Sequence, residues 1–333
     1  MTHTAANMAI DVLRHPLVTD NLARVDDAIT DAVAVSYPVM TDLLNGIIAA
    51  KGKMLRPRIL FAAARAFGYD DSRLVPAAAG LELLHIATLI HDDTVDKALF
   101  RRGAATLNST LPTTIVVLLG DYLFAQSAVL VAHANDLRTT TLFAETLAEI
   151  CNGELDEIFQ TRQWNQTREQ YNERIYGKTA ALFSTAAQFG GILSGATEEQ
   201  ITALRTYGTS LGMAYQIMDD VLDLRETSET LGKPAGSDLR QGTITLPMMF
   251  FIERHAAPPD LDLIRRVVEG KKVDNALVDA LVDRVRASGA LDAALDVAQD
   301  EIEGAKAQLA ALPTGEPRDY LAAMADFVTA RRN

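Results

Sequence analysis

Cysteine is almost missing from this sequence. The single residue, Cys151, excludes an intrachain disulfide and suits a reducing compartment. Basic residues are outnumbered, with 31 Lys and Arg against 44 Asp and Glu and a net charge of −13. That balance argues against nucleic acid and against simple electrostatic docking on anionic lipid. An anionic ligand would have to be drawn in locally, by Lys, Arg and metal, against the mean field. Glycine and proline are modest (20 and 11 residues), and no tract reads as low-complexity or disordered. The only linker-like spot, Ala256-Ala257-Pro258-Pro259, is too short to argue for a second domain, so one domain over residues 1–333 is expected. Long unbroken apolar runs are also missing. The most apolar window, Ile115 to Ala132, is interrupted by Asp121 and reads as a core helix, not a transmembrane span. No charged-then-apolar leader opens the sequence, and a soluble cytoplasmic protein is the expectation.

What is present is helix. Apolar residues make up 48% of the chain and recur at helical spacing, as in Leu22, Val25, Ile29 and Val33, then Val39, Leu43 and Ile47. The class expected is all-α. A helix is expected over roughly Leu74 to Asp96, ending in His91-Asp92-Asp93-Thr94-Val95-Asp96. Asp92 and Asp96 share one face of that helix, with Asp93 about 100° round. Three like charges at the end of an apolar run are costly unless a cation neutralises them. One such cluster could be a solvated helix end. A second, Asp219-Asp220-Val221-Leu222-Asp223, follows the apolar run Leu211 to Met218 at the end of a helix expected over Glu198 to Asp223, and the repetition points to a hard-cation site.

Basic residues gather at a few places only. Lys51, Lys53, Arg56 and Arg58 surround the start of a helix, with Gly52 ending the previous element and Pro57 in the first turn. A helix N-terminus already favours an anion. Arg101-Arg102-Gly103 follows the first Asp cluster, and adjacent guanidinium forks match diphosphate oxygens. Lys178 lies inside the helical stretch Glu169–Leu193, in Tyr176-Gly177-Lys178-Thr179, and Lys233 opens the polar loop Gly232 to Thr243. Carboxylate ligands without Cys, and with scattered His, select Mg²⁺ over zinc, and Mg²⁺ commonly bridges carboxylates to substrate phosphates. An all-helical shell gives an apolar tail somewhere to go. The residues therefore imply a Mg²⁺-dependent enzyme acting on a diphosphate that carries an apolar chain.

These segments resemble the trans (all-E) isoprenyl diphosphate synthases, also called polyprenyl synthetases, over nearly the whole chain, from Gly52-Lys53-x-x-Arg56-Pro57 to the closing helices. The resemblance implies an isoprenoid synthase-type helical bundle around a central cavity. It implies that Asp92, Asp96, Asp219 and Asp223 bind Mg²⁺, three ions per site, with Asp93 and Asp220 in support. Lys53, Arg56, His85 and Arg102 match the isopentenyl diphosphate site, and Arg101 matches the allylic diphosphate side. Lys178, Thr179, Gln216 and Lys233 match positions that steady the allylic diphosphate and the cation formed from it. The implied partners are these two diphosphates and a second copy of the chain, with Ile115–Ala132 as the candidate homodimer interface. Peripheral membrane contact for unloading the product is a further expectation.

Two departures are visible. The family often has lysine where Thr243 stands, so a phosphate contact is lost or passes to Arg240. Glu157, in Gly153-Glu154-Leu155-Asp156-Glu157, stands where members commonly carry Gln or Asp. Product length follows from size. Short-chain members close the tunnel with bulky aromatics one turn below the first Asp cluster, where this chain has Ala87 and Thr88, with Leu84 further down. A product of geranylgeranyl length or longer, and more readily a polyprenyl chain, is expected; Phe124, Leu147 or Ile150 could set the floor.

Three other readings fit less well. Glu82-x-x-His85 is the helix motif of di-iron bundles, but no second Glu-x-x-His exists. A class I terpene cyclase would normally carry an Asn/Ser/Glu-type second motif and lack the isopentenyl-site basic residues. A non-catalytic subunit of a heteromeric synthase should have lost an Asp cluster or the arginines, and neither is lost.

Overall fold

The computed structural model describes residues 12–34, 37–49, 52–101, 104–225, 235–270 and 274–330. Lys51, Arg102, Gly103 and Lys233 lie outside the described residues. The described chain is helical, with one two-stranded hairpin, Phe100–Arg101 against Ala104–Ala105.

The helices run as α1 (Pro16–Ala32), α2 (Pro38–Ala49), α3 (Leu55–Arg65), α4 (Asp71–Val95), α5 (Thr113–Ala132) and α6 (Leu137–Gln160). Then come α7 (Arg168–Ile175), α8 (Ala181–Leu193), α9 (Glu198–Arg225) and the short α10 (Ser237–Gln241). The chain closes with α11 (Leu246–Arg254), α12 (Pro258–Val268), α13 (Asn275–Arg286), α14 (Ala290–Gln308) and α15 (Glu316–Ala330).

The central helix is α4. Asp70 caps it, its side chain accepting from the Ser72 amide at 3.0 Å. From Leu74 to Ile90 it is buried on nearly every face, packed by α1, α3, α5 and α8. Such enclosure explains why its sequence is apolar all round and not in a stripe. The second long helix, α9, is held between α8 and α14. Both Asp clusters sit in the last turns of these two helices, where no glycine or basic residue ends α4 and Arg225 ends α9.

The stretch expected as one helix over Glu169–Leu193 is interrupted. Between α7 and α8 the backbone widens into a π turn, Tyr176–Ala180, which holds Lys178 and Thr179. The turn presses on α6 through two glycines. A Cβ on Gly177 would lie 2.7 Å from the Glu149 carbonyl oxygen, and one on Gly153 would lie 2.6 Å from the Lys178 nitrogen. Only a side-chain-free contact allows these backbones to meet.

Helices α4 and α5 are both long and apolar enough to cross a bilayer. In α4 most of that surface is inside the protein. In α5 Leu118 is 61% exposed and Val129 48%, so an apolar face is left uncovered in the single chain.

Candidate active site

The site is assembled where the ends of α4, α6 and α9 meet the π turn. Lys178 Nζ donates to the Glu157 carboxylate and stands 3.6 Å from Glu154 Oε1. Glu154 and Glu157 are three residues apart on α6, hence on one face, and both turn toward the π turn. Burial pulls Lys178 down, but Glu157, Glu154 and Asp92 more than reverse this and hold its pKa above the ordinary lysine range.

Asp92 and Asp96 lie in the same electrostatic neighbourhood. Burial pushes Asp92 up to about 6, with Glu157 and Asp96 adding to the rise and Lys178 and Arg101 opposing it. Burial also raises Asp96. Glu154 is pushed up to about 7, first by burial and then by Asp92, Glu157 and Asp96. Among the described residues this is a carboxylate-rich recess with one lysine in it, Lys178. Asp93 turns another way and accepts from Arg101 Nε at 2.8 Å, tying the hairpin to the end of α4.

On the α9 side, Asp219 is half-buried, whereas Asp220 is almost wholly buried. Both oxygens of Asp220 are taken: Tyr171 Oη donates to Oδ2 at 2.7 Å, and Gln216 Nε2 donates to Oδ1 at 2.9 Å. Burial pushes Asp220 up to about 7 despite those two donors. Asp223 organises the loop after α9, its Oδ2 accepting from the Asp238 amide at 3.3 Å and its carbonyl from the Gly236 amide at 2.9 Å. The remaining amide oxygen of Gln216 accepts from Thr179 Oγ1 at 2.7 Å. Adjacent residues of the π turn thus reach opposite clusters: Lys178 the α4–α6 side, Thr179 the α9 side.

The basic residues are spread around this centre. Lys53 is exposed, its Nζ 5.2 Å from the Phe327 ring centre. The Arg56 guanidinium lies 4.8 Å from the Phe183 ring centre; burial lowers its pKa, and Glu82 and Tyr215 oppose that. His85 is half-buried, two helical turns before Asp92. Arg58 does not join this group. It is buried, its Nε donating to the Lys53 carbonyl at 2.8 Å, so it shapes the loop instead of facing a ligand. Arg240 cannot replace the lysine missing at Thr243, because its guanidinium is committed to Asn275 and Asp279 on α13. Thr243 itself is buried, its amide donating to the Asp238 carbonyl at 2.8 Å.

Further down α4, Ala87 and Leu84 are fully buried, and Thr88 is half-buried with its hydroxyl donating to the His85 carbonyl at 2.8 Å. The ring of Phe124 packs edge-on against His91, with centres 4.9 Å apart.

Among the described residues, no three acidic, His or Cys side chains converge to cage an ion by themselves. Mg²⁺ needs no all-protein cage, since it binds through one or two carboxylates and completes its shell with water and substrate phosphate. The donor set, oxygen throughout, fits the ion. Sequence reading missed Glu154 and Tyr171. The i, i+3 spacing of Glu154 and Glu157 was a usable signal; nothing in the sequence singled out Tyr171.

Comparison with known proteins identifies a family. The polyprenyl synthetase family matches residues 37–285. The octaprenyl diphosphate synthase of Escherichia coli is 34% identical over 95% of this chain and 97% of its own. The crystal structure of a polyprenyl synthase from Caulobacter crescentus, complexed with calcium and isoprenyl diphosphate, is 35% identical with a TM-score of 0.91, covering 97% of this chain and 98% of that one. That of a geranylgeranyl pyrophosphate synthetase from Pyrococcus horikoshii is 31% identical with a TM-score of 0.87, covering 97% and 99%.

Proposed function

The chain belongs to the polyprenyl synthetase family, and on that premise we propose that it is a Mg²⁺-dependent trans-prenyltransferase making a long polyprenyl diphosphate. It joins isopentenyl diphosphate to an allylic diphosphate and repeats the addition. The observation that carries this reading is the π turn placing Lys178 among the carboxylates of Asp92, Glu154 and Glu157 while Thr179 reaches Gln216.

Asp92, Asp96, Asp219 and Asp223 would hold the ions, three per site by family resemblance. When bound, the metal neutralises the leaving diphosphate. The chain's own residues do the rest. Lys178 and Arg101 draw the allylic diphosphate to the recess, and Asp93 fixes Arg101 for that task. Lys53, Arg56 and His85 hold the isopentenyl diphosphate, with Arg102 beside them and Lys233 on the allylic side assigned by resemblance alone. Thr179 and Gln216 present oxygen dipoles to the allylic cation, and the buried surroundings keep water from it. Attack by the isopentenyl double bond forms the new C–C bond, and the proton then lost passes to the released diphosphate.

The growing chain would run down α4 past Thr88, Ala87 and Leu84. The small side chains there and the similarity to an octaprenyl synthase favour a product longer than geranylgeranyl. A geranylgeranyl product is the second reading, supported by the likeness to the Pyrococcus enzyme. We assign the uncovered face of α5, with Val117, Leu118 and Val129, and the exposed Leu155, Ile158 and Phe159 of α6 to a homodimer interface. A cytoplasmic protein with peripheral membrane contact at product release completes the proposal. Incubating the purified protein with both diphosphates, with and without Mg²⁺, tests it by diphosphate release.

A further inference from the structure

Tyr171 is a side chain for which the reaction outlined above has no use. It lies two turns before Lys178, is wholly buried, and spends its hydroxyl on Asp220 Oδ2 at 2.7 Å. The other Asp220 oxygen is met by Gln216 Nε2 at 2.9 Å, and Gln216 Oε1 by Thr179 Oγ1 at 2.7 Å. Four side chains from α7, the π turn and α9 therefore form one continuous chain ending at the cation-facing threonine.

A primary amide can point either way, and a hydroxyl can donate or accept. Here Tyr171 Oη and Gln216 Nε2 each donate to one oxygen of Asp220, so Gln216 turns its own oxygen to Thr179, and Thr179 gives its one hydrogen to Gln216. With that hydrogen committed, Thr179 can present only oxygen lone pairs to the site. Were the amide reversed, its NH₂ would occupy the Thr179 oxygen and turn the hydroxyl hydrogen outward, placing a positive dipole end toward a carbocation.

We propose that Tyr171 is a positioning residue for the allylic cation: by holding Asp220 Oδ2 it keeps Oδ1 aimed at Gln216, and so fixes the direction of the Gln216–Thr179 dipoles. The proposal rests on the prenyltransferase reading. A carboxylate held at one oxygen only can rotate about its last bond, and the amide beside it is then free to flip. Arg174, buried beside the Tyr171 ring at 5.5 Å, is already occupied by Gln160, Gln166 and the Ile244 carbonyl, so it does not replace the lost hydroxyl.

The readout is the fate of the cation, which does not depend on how much of a preparation is active. After the C–O bond to diphosphate breaks, C1 of the cation either bonds to the isopentenyl double bond, with loss of a proton, or bonds to a water oxygen, with loss of a proton, giving allylic alcohol. Farnesyl diphosphate and isopentenyl diphosphate are the probes, and the share of consumed farnesyl groups recovered as farnesol is measured with kcat and both KM values. Tyr171→Phe should lower kcat about tenfold with KM values within about twofold, and raise the farnesol share several-fold. The double variant Tyr171→Phe/Gln216→Leu should show the farnesol share of Gln216→Leu alone, because Tyr171 acts through Gln216. An unchanged share in Tyr171→Phe, or an additive effect in the double variant, overturns the proposal. If Tyr171→Phe does not fold, Asp220→Asn tests the same link, since it offers one acceptor where two are used; there too an unchanged share overturns it. Wild-type protein that condenses nothing overturns the reading beneath it, and the proposal with it.

Discussion

Lys178 and Glu157 form an ion pair across the point where the backbones of α6 and the π turn touch at Gly153 and Gly177. The lysine assigned to the allylic diphosphate is thus placed by an acid of another helix. Glu157→Gln should release Lys178 and raise KM for the allylic diphosphate about fivefold, the scale of one charge-assisted contact of ~1 kcal/mol. KM for isopentenyl diphosphate should stay within about twofold. Steady-state kinetics with each substrate varied in turn would show it; equal rises in both values would place Lys178 elsewhere.

The acid recess makes metal binding depend on pH. Asp92 near 6 and Glu154 near 7 are raised by burial, so in the unfolded chain, where carboxylates titrate near ~4, they ionise earlier than in the fold. Their contribution to stability is therefore full below about pH 4 and is lost as pH rises through 6 to 7. Mg²⁺ binds the ionised groups and offsets that loss. Thermal melts should show a larger Tm increase from millimolar Mg²⁺ at pH 8 than at pH 6. Asp92→Asn should abolish most of that increase, leave the metal-free Tm equal or higher, and cut kcat about a hundredfold or more. Equal Mg²⁺ shifts at the two pH values would contradict the assignment.

Ala87 separates two accounts of α4. If the product runs past it, Ala87→Phe closes the path and the enzyme makes shorter chains at a similar rate. If Ala87 is only a packed core position, the added ring overpacks the helix at a cost of about 1–3 kcal/mol, seen as a lower Tm with product length unchanged. Product sizing and a melt on the same preparation decide between them.

The uncovered face of α5 should be sensitive to charge. Leu118→Asp, at a side chain 61% exposed in the single chain, would be harmless on a monomer surface. In a homodimer interface it would bury an unpaired carboxylate, and sedimentation should show the species shift toward half its mass. Unchanged sedimentation would remove α5 from the interface.

Much of this architecture was legible in the sequence. The ends of α4 and α9 could be placed because apolar runs close on repeated carboxylates, and Pro57 marked a real helix start. What was not legible depends on contacts between distant helices. The π turn left no local signal, because Tyr176-Gly177-Lys178-Thr179 has ordinary helical spacing; its cause is the meeting of Gly177 with Gly153 on α6. For the same reason Arg58 and Arg240 read as ligand-facing cations, whereas packing turns one into a loop brace and gives the other to α13. Asp220 resembled its neighbours in the motif until its two donors were seen.

The size of the product tests the polyprenyl assignment most directly. Purified protein supplied with farnesyl diphosphate, isopentenyl diphosphate and Mg²⁺ should yield, by mass spectrometry, all-E diphosphates longer than geranylgeranyl, and none when Mg²⁺ is chelated. Recovery of farnesyl diphosphate unextended, or of a cyclised hydrocarbon, would contradict it.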